Sequence, residues 1–301
     1  MGDQNTSAKA SGNRLGQSGG LRRKSQAGEI WKRLKKNRPA VAGMTIVLSL
    51  ILIAIFADFL APYPIDQMNM AERLQYPSLK HWMGTDNFGR DLLSRMIFGA
   101  RTSLLVATLA VGISLFFGCV AGYSAAYIGG KYETVVMRIM DAFLSIPSTI
   151  LAISIAVSLG FGVTSTAIAI GISNFPVFAR VARASVLTVK DSEFIEAARS
   201  IGAGSMRVLL RHIVPNALAP ILVQISLSIA NSILVISSLS FLGCGIQPPT
   251  PEWGSILSVG REYIRDFYPF VVFPGVMISV TLISFNLFSD GLRDALDPRL
   301  K

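Results

Sequence analysis

The chain has 301 residues, of which 51% are hydrophobic and only 15% charged. Soluble domains carry about a quarter charged residues. Here the deficit is concentrated in long apolar runs, which excludes an ordinary soluble protein and points to several membrane crossings. The net charge of +10 does not signal a nucleic-acid surface, because ten Lys and Arg lie before Ala40 against two acids, Asp3 and Glu29, and an apolar run follows at once.

Residues 1–26 are rich in Gly, Ser, Asn, Gln and basic residues. They are too polar to bury a core and are expected to form a disordered basic cytoplasmic tail. Residues 27–39 carry a short amphipathic helix over about 29–37, with Ile30, Trp31 and Leu34 on one side and Lys32, Arg33, Lys35 and Lys36 elsewhere. An interfacial helix on the inner membrane surface fits this pattern, and a solvated basic tail fits it too. The first apolar run has no small-residue cleavage pattern after it, so it is expected to remain as an anchor rather than be removed as a signal peptide.

Six spanning segments follow, over about 40–60, 102–127, 135–159, 163–182, 217–242 and 269–288. Each approaches or exceeds the roughly 20 helical residues that cross a bilayer core. The expected fold is therefore all-α, with a membrane domain over 40–301. Basic residues set the orientation. They crowd the tail, the turn holding Lys131 and Arg138, the 180–211 region, and the end at Arg293, Arg299 and Lys301. The loop 61–101 has five basic residues against four acids, and 247–268 has two against three. Both termini are expected inside and loop 61–101 outside. Pro147, Pro176, Pro220 and Pro274 interrupt spans, as do Gly160, Gly162, Gly171 and Gly275. Such breaks suit helices that line a pathway, or ordinary kinks in a packed bundle.

Two polar segments carry the sharper signals. In 190–215, Asp191 or Ser192 is expected to cap a helix with Glu193 in its first turn. Gly202 and Gly204 permit a sharp stop, and Ser205 opens a second short helix closed by Pro215. In Gly84-Thr85-Asp86-Asn87-Phe88-Gly89-Arg90-Asp91, the glycines permit tight turns. Thr85 or Asp86 is expected to cap a helix, and Arg90 with Asp91 to tie the loop down. Within the spans, Asn174, Gln224, Ser228, Asn231 and Asn286 are candidates for pathway lining or for interhelical hydrogen bonds. Arg138 and Asp141, one turn apart, are expected to pair. Asp58 is expected near the outer interface.

Glu196-Ala197-Ala198, with Gly202 six residues after the glutamate and Pro215 at the end, resembles the EAA loop of ABC importer permeases, the segment that docks on the ATPase subunit. The Gly84 to Asp91 stretch ahead of the second span, with Gly99-Ala100-Arg101-Thr102-Ser103-Leu104, resembles the C-type permease of dipeptide, oligopeptide and nickel ABC importers. Further matches are Arg211-His212-Ile213-Val214-Pro215-Asn216-Ala217-Leu218, Leu239-Ser240-Phe241-Leu242-Gly243 through Trp253-Gly254, and Asp290-Gly291-Leu292-Arg293-Asp294-Ala295-Leu296-Asp297-Pro298-Arg299. The resemblance covers about residues 40–300.

It implies a type I importer permease with six transmembrane helices in the plasma (inner) membrane of a prokaryote. Partners would be a second related permease, two ATPase subunits that carry ATP and Mg, and an extracytoplasmic binding protein. The implied cargo is di- or oligopeptide; a nickel chelate or another small solute is the alternative. In the coupling role the resemblance places Glu196, Ala197, Ala198, Gly202 and Pro215. The Gly84 to Asp91 loop either serves structure alone or meets the binding protein. The chain carries no Gly-x-x-x-x-Gly-Lys-Ser/Thr loop, so no ATP site of the usual kind and no enzymatic or cofactor role is expected for it. Cys119 and Cys244 both lie in apolar segments and suggest neither a disulfide nor a metal site. A secondary transporter or a membrane scaffold is the different-class alternative; intramembrane carboxylates are few and no inverted repeat is evident.

Overall fold

The computed structural model describes residues 26–296. The expected tail lies outside the described residues except for Gln26, as do Asp297, Pro298 and Arg299 of the C-terminal motif. The described chain forms α1 (Gln26–Lys36), α2 (Arg38–Ile55), α3 (Ala57–Leu60), α4 (Leu92–Ile128), α5 (Gly130–Leu144) and α6 (Ser148–Leu159). It continues through α7 (Val163–Val189), α8 (Glu193–Ser200), α9 (Ser205–Val208), α10 (Val214–Asn216), α11 (Leu218–Phe241), α12 (Trp253–Gly260) and α13 (Pro269–Leu296). The only strand-like pairing among the described residues is one bridge between Thr85 and Asp91.

Five helices, α2, α4, α7, α11 and α13, are long and apolar enough to cross a membrane. A sixth crossing exists if α5 and α6 count as one span, but they meet at an 85° bend. The span expected over 135–159 is thus broken where Pro147 was expected to interrupt it. Pro147 sits at the junction. It has no N–H to donate into a helix, and it pushes Ile146 away from helical backbone. Pro176, by contrast, lies inside an unbroken α7.

The second span also differs from expectation. Helix α4 starts at Leu92, ten residues earlier, and runs for 37 residues, about 55 Å at 1.5 Å per residue. That exceeds a hydrocarbon core of about 30 Å, so α4 projects beyond it. Arg95 and Arg101 interrupt the apolar run and hide this extension from a hydropathy reading. Both have structural partners. Arg101 donates to the carbonyls of Ala54 (2.7 Å) and Ile55 (3.0 Å) at the end of α2, and to Asp58 at 2.8 Å. It thereby satisfies acceptors that a helix end leaves open.

Helices α4 and α7 share the most extensive packing of any described helix pair. A Cβ on Gly122 would fall 2.2 Å from the Ala179 carbonyl oxygen, and one on Gly118 would fall 2.5 Å from the Phe178 Cβ. In return, Gly171 of α7 makes way for Ile113 of α4, whose Cγ2 would lie 2.7 Å from an added Cβ. Small residues let backbones approach where lipid supplies no hydrophobic drive between helices. The approach is close enough for Ser114 Oγ to donate to the Gly171 carbonyl at 2.9 Å.

The α2–α13 contact follows the same rule, with Gly43 against the Ser284 carbonyl and Gly291 against Ala40. Helix α1 packs there too. Leu34 is buried with Ala40 and Ala295, and Ile30 joins them. Trp31 does not share that face; it is half exposed beneath the Lys35 ammonium, 5.0 Å from its ring centroid.

Replacing Gly122 by valine drives a branched side chain into the α7 backbone. The expected result is loss of a monodisperse detergent-solubilised complex, or a clear fall in its melting temperature. Gly112→Val, where an added Cβ meets nothing within 4 Å, should be tolerated in the same assay.

Candidate functional site: the 61–91 cap and the α8 segment

The 61–91 loop folds into a cap over the first turn of α4. Asp86 is fully buried at its centre. One carboxylate oxygen accepts from the Phe88 amide at 2.8 Å and the Arg90 amide at 3.0 Å. The other accepts from Arg90 Nε at 2.6 Å, with Arg95 Nε at 3.5 Å. Two buried guanidinium groups thus share one carboxylate, and Arg95 spends further donors on the carbonyls of Ile65 (3.4 Å) and Pro249 (3.3 Å). Gly84 and Gly89 have positive φ, at 81° and 69°. A Cβ on Gly89 would collide with the Asn69 carbonyl oxygen at 1.8 Å.

The helix cap is not the one expected. Asp91, rather than Thr85 or Asp86, caps α4, accepting from the Ser94 amide and Ser94 Oγ at 2.8 Å each. Arg90 therefore pairs with Asp86, and Asp91 instead holds His81 Nδ1 at 2.8 Å. Thr85 Oγ donates to the Glu72 carbonyl and accepts from the Gln75 amide at 2.9 Å. Lys80 pairs with Glu72, and this bond holds the Glu72 carboxyl below its ordinary range, with His81 adding to the effect.

The cap is joined to α12, an element whose role the sequence did not announce. Trp253 is fully buried and donates from Nε1 to the Met96 carbonyl of α4 at 3.0 Å. Gly99 leaves room for its ring. Glu252 is also fully buried. It caps α12 through the Ser255 amide at 2.9 Å and accepts from Ser103 Oγ of α4 at 3.1 Å. A Glu-Trp pair after a Pro-rich turn was the available signal.

At the other end of α4 and α7, α8 sits on a small apolar cradle. Ile195, Val208 and Ile213 are fully buried together with Ala126 of α4 and Val186 of α7. Glu196 and Ala197 face outward, whereas Ala198 is buried. The helix ends as expected at Gly202, whose φ is 82°. The Gly202 amide bonds the Arg199 carbonyl at 2.9 Å and the Ala203 amide bonds the Ala198 carbonyl at 3.1 Å, the double bond pattern of a left-handed helix stop. Gly204 has ordinary backbone and plays no such part. Ser192 occupies the cap position, but its hydroxyl donates back to Val189. Around the exposed surface stand Phe194 (47% exposed), Ile201 (86%), Met206 (67%) and Leu210 (60%).

Pro215 does not close the segment. Helix α9 passes into a π turn at Leu209–Ile213, and Pro215 sits within α10 just beyond it. A missing proline N–H fits the wider π turn that precedes it. The mid-span candidates scatter. Gln224 donates to Ser228 Oγ at 3.0 Å within α11. Asn174 is buried in α7, while Asn231 and Asn286 are exposed on α11 and α13. Asp141 pairs with Arg180 of α7 at 2.6 Å rather than with Arg138, because the tertiary partner presents its guanidinium directly to the carboxylate.

Asp86→Asn should leave two buried guanidinium groups without their carboxylate, at a cost of about 3–5 kcal/mol, seen as a large drop in thermal stability of the purified complex. The Glu72 tie has a definite pH dependence. Its pKa is lower folded than unfolded, so its contribution is present at neutral pH and is lost as pH falls through the depressed value. Amide exchange at Leu74, Gln75 and Thr85, corrected for intrinsic rates, should stay flat near neutrality. It should rise only below the ordinary glutamate value of about 4.3.

Residues 114–301 match a family described as binding-protein-dependent transport system inner membrane component. Residues 25–77 match the N-terminal TM domain of oligopeptide transport permease C. The chain is 45% identical over 273 residues to the dipeptide transport system permease protein DppC of Alkalihalophilus pseudofirmus, covering 91% of this chain and 90% of that protein. It is 42% identical over 274 residues to the glutathione transport system permease protein GsiD of Escherichia coli, with the same coverage of 91% and 90%. The fold is similar to that of the MetNI methionine ABC transporter in an inward-facing conformation, with TM-score 0.55 at 18% identity over 67% of this chain and 96% of that one. It is also similar to an amino acid ABC transporter, with TM-score 0.53 at 17% identity over 67% and 94%. The chain belongs to the binding-protein-dependent inner membrane components, within the C-type permeases of dipeptide and oligopeptide ABC importers.

Proposed function

We propose that this chain forms one half of the translocation pathway of an ATP-driven importer for di- or oligopeptides. A second permease forms the other half, two ATPase subunits bind at the inner surface, and a binding protein delivers cargo outside. Membership of the C-type permease family supports the assembly. The names of the dipeptide and glutathione relatives support a peptide-like cargo. Both termini and the α8 segment lie on the cytoplasmic side in this reading, as the basic residues at Lys131, Arg138, Lys190, Arg199, Arg207 and Arg211 favour.

The observation that carries the mechanism is the build of α8. It is a short helix with a sharp glycine stop, seated on the inner ends of α4 and α7, that turns Glu196, Ala197 and an apolar rim outward. Such a knob fits a groove on an ATPase subunit. ATP-driven closure of the ATPase dimer moves α8, and α4 and α7 move with it because Ile195 is locked between them and Val208. The pathway then opens outward to receive cargo. The cap over Gly84, Thr85, Asp86, Gly89, Arg90 and Asp91 offers a rigid outer rim to the binding protein. Of the pathway candidates Gln224, Ser228, Asn231, Asn286 and Asn174, the exposed Asn231 and Asn286 offer polar groups to a peptide backbone, whereas Asn174 and Ser228 are buried and serve packing. The nickel chelate alternative has no feature here that favours it.

Gly202→Val forces a branched residue into left-handed backbone, which costs about 1–2 kcal/mol, and unwinds the α8 stop. Stimulation of ATPase activity by peptide-loaded binding protein should fall at least tenfold while the second permease still co-purifies. Gly204→Ala should behave as wild type. Unchanged uptake and stimulation in Gly202→Val would overturn the coupling role.

A further inference from the structure

Where the C-terminal part of α11 meets α12 and the N-terminal part of α13, an open groove of about 430 Å³ is lined by Leu234, Ser237, Phe241, Leu257, Gly275 and Ile278, with Ser238 at its edge. Its walls are mostly apolar. Two glycines shape it. Gly254 brings α12 onto the backbone of α11, where an added Cβ would lie 2.4 Å from the Ser237 carbonyl oxygen. Gly275 leaves the space beside it open: an added Cβ would meet Leu257 Cδ1 at 3.9 Å and nothing nearer. Ser237 is buried, and its hydroxyl has no hydrogen-bond partner. The neighbouring Ser238, by contrast, donates to the Leu234 carbonyl at 2.8 Å.

The surface that carries this groove is unsuited to lipid. Asn231 precedes Ser238 by seven residues, about two turns, so both lie on one side of α11. Asn286 follows Gly275 by eleven residues, about three turns, so both lie on one side of α13. Ser238 and Gly275 both border the groove, and α11 packs directly against α13. The groove and the two exposed asparagines therefore share one face of the helix pair. An amide turned to hydrocarbon has no hydrogen-bond partner, which is costly, and an acyl chain in the groove would leave Ser237 unpaired as well. A peptide suits both parts of the face. Its backbone offers donors and acceptors to the amides, and its apolar side chains suit the groove, whose volume falls within the range of small-ligand sites. Asn231 stands one turn from Leu234 of the groove wall, about 4.5 Å along α11. An extended peptide spans about 3.3–3.6 Å per residue, so a side chain in the groove brings the adjoining backbone within reach of Asn231.

We propose that this groove is a subsite of the translocation pathway that takes an apolar side chain of the cargo peptide, with Asn231 beside it for the peptide backbone. Gly275 sets its size. Apolar burial is non-directional and grows with the area removed from water, so the groove favours large apolar side chains over small ones without reading a particular sequence. A glycine residue of the cargo gains nothing from it. Helix α11 runs from the α8 segment toward the groove, which places the groove at the end of the pathway away from the ATPase contact, where arriving cargo meets it first. This inference rests on the importer reading above.

The test uses the complete complex of both permeases and both ATPases in proteoliposomes, driven by ATP and supplied with its binding protein. Uptake of leucyl-leucine and of glycyl-glycine is measured side by side for wild type, Gly275→Ala and Gly275→Leu. The same binding protein serves all three complexes, so its own preference cancels in the comparison. Gly275→Leu fills the groove from ordinary helical backbone. It should lower the ratio of leucyl-leucine to glycyl-glycine uptake about tenfold, and Gly275→Ala, which adds one methyl group, should lower it by about threefold at most. A ratio in Gly275→Leu within about twofold of wild type would overturn the subsite. Loss of both uptakes alike would overturn it too, because the groove would then serve packing or lipid rather than cargo side chains. Failure of the second permease to co-purify with Gly275→Leu would also overturn it, by placing that subunit in the groove. In each of these cases ATP-dependent uptake of glycyl-glycine by the wild type leaves the importer reading standing. A wild-type complex that takes up neither peptide would overturn the importer reading, and the subsite with it.

Discussion

The backbone contact between α4 and α7 is the constraint on which the rest of the molecule depends. Glycines on both helices remove the side chains that would hold them apart, and the Ser114 hydroxyl bridges the gap. The N-terminal end of α4 carries the Asp86 cap and docks Trp253. The C-terminal ends of α4 and α7 hold Ile195. A helix of 37 residues is long enough to connect the two surfaces as one body. Movement at α8 therefore has a stiff element through which to reach the Asp86 cap.

Membrane-embedded backbone must find its hydrogen bonds within the protein, and the irregular places respect that rule. The break before α6 falls at Pro147, which has no donor to lose. The π turn over Leu209–Ile213 lies where the chain leaves the inner segment and enters α11. Arg101 covers the carbonyls at the end of α2, and Asp91 and Glu252 cover the first amides of α4 and α12. Arg101, Asp91 and Glu252 thus serve helix ends, and the charged residues between α5 and α7 tie those two helices together, Arg180 to Asp141 and Arg183 to Glu133.

Hydropathy made most of the spanning helices legible, because it resides in local composition. The Glu196 to Gly202 stop was legible for the same reason: a glycine after a short polar helix has one economical backbone solution. Partners were not legible. Asp141 has Arg138 one turn away in sequence, yet takes Arg180 from another helix. Thr85, Asp86 and Asp91 are all competent caps, and only the folded loop selects Asp91. The early start of α4 was hidden because Arg95 and Arg101 read as loop charges until their acceptors are seen. Pro215 read as a terminator, whereas a π turn absorbs it.

The most direct test of the central claim is a single cysteine at exposed Ala197, with Cys119 and Cys244 replaced by serine, probed in the assembled complex in membranes. Ala197→Cys should be shielded from a membrane-impermeant thiol reagent outside the cell, and it should cross-link to an ATPase subunit with a yield that changes when ATP is bound. Labelling from outside, or an efficient cross-link to the binding protein in place of the ATPase, would contradict both the orientation and the coupling role of α8.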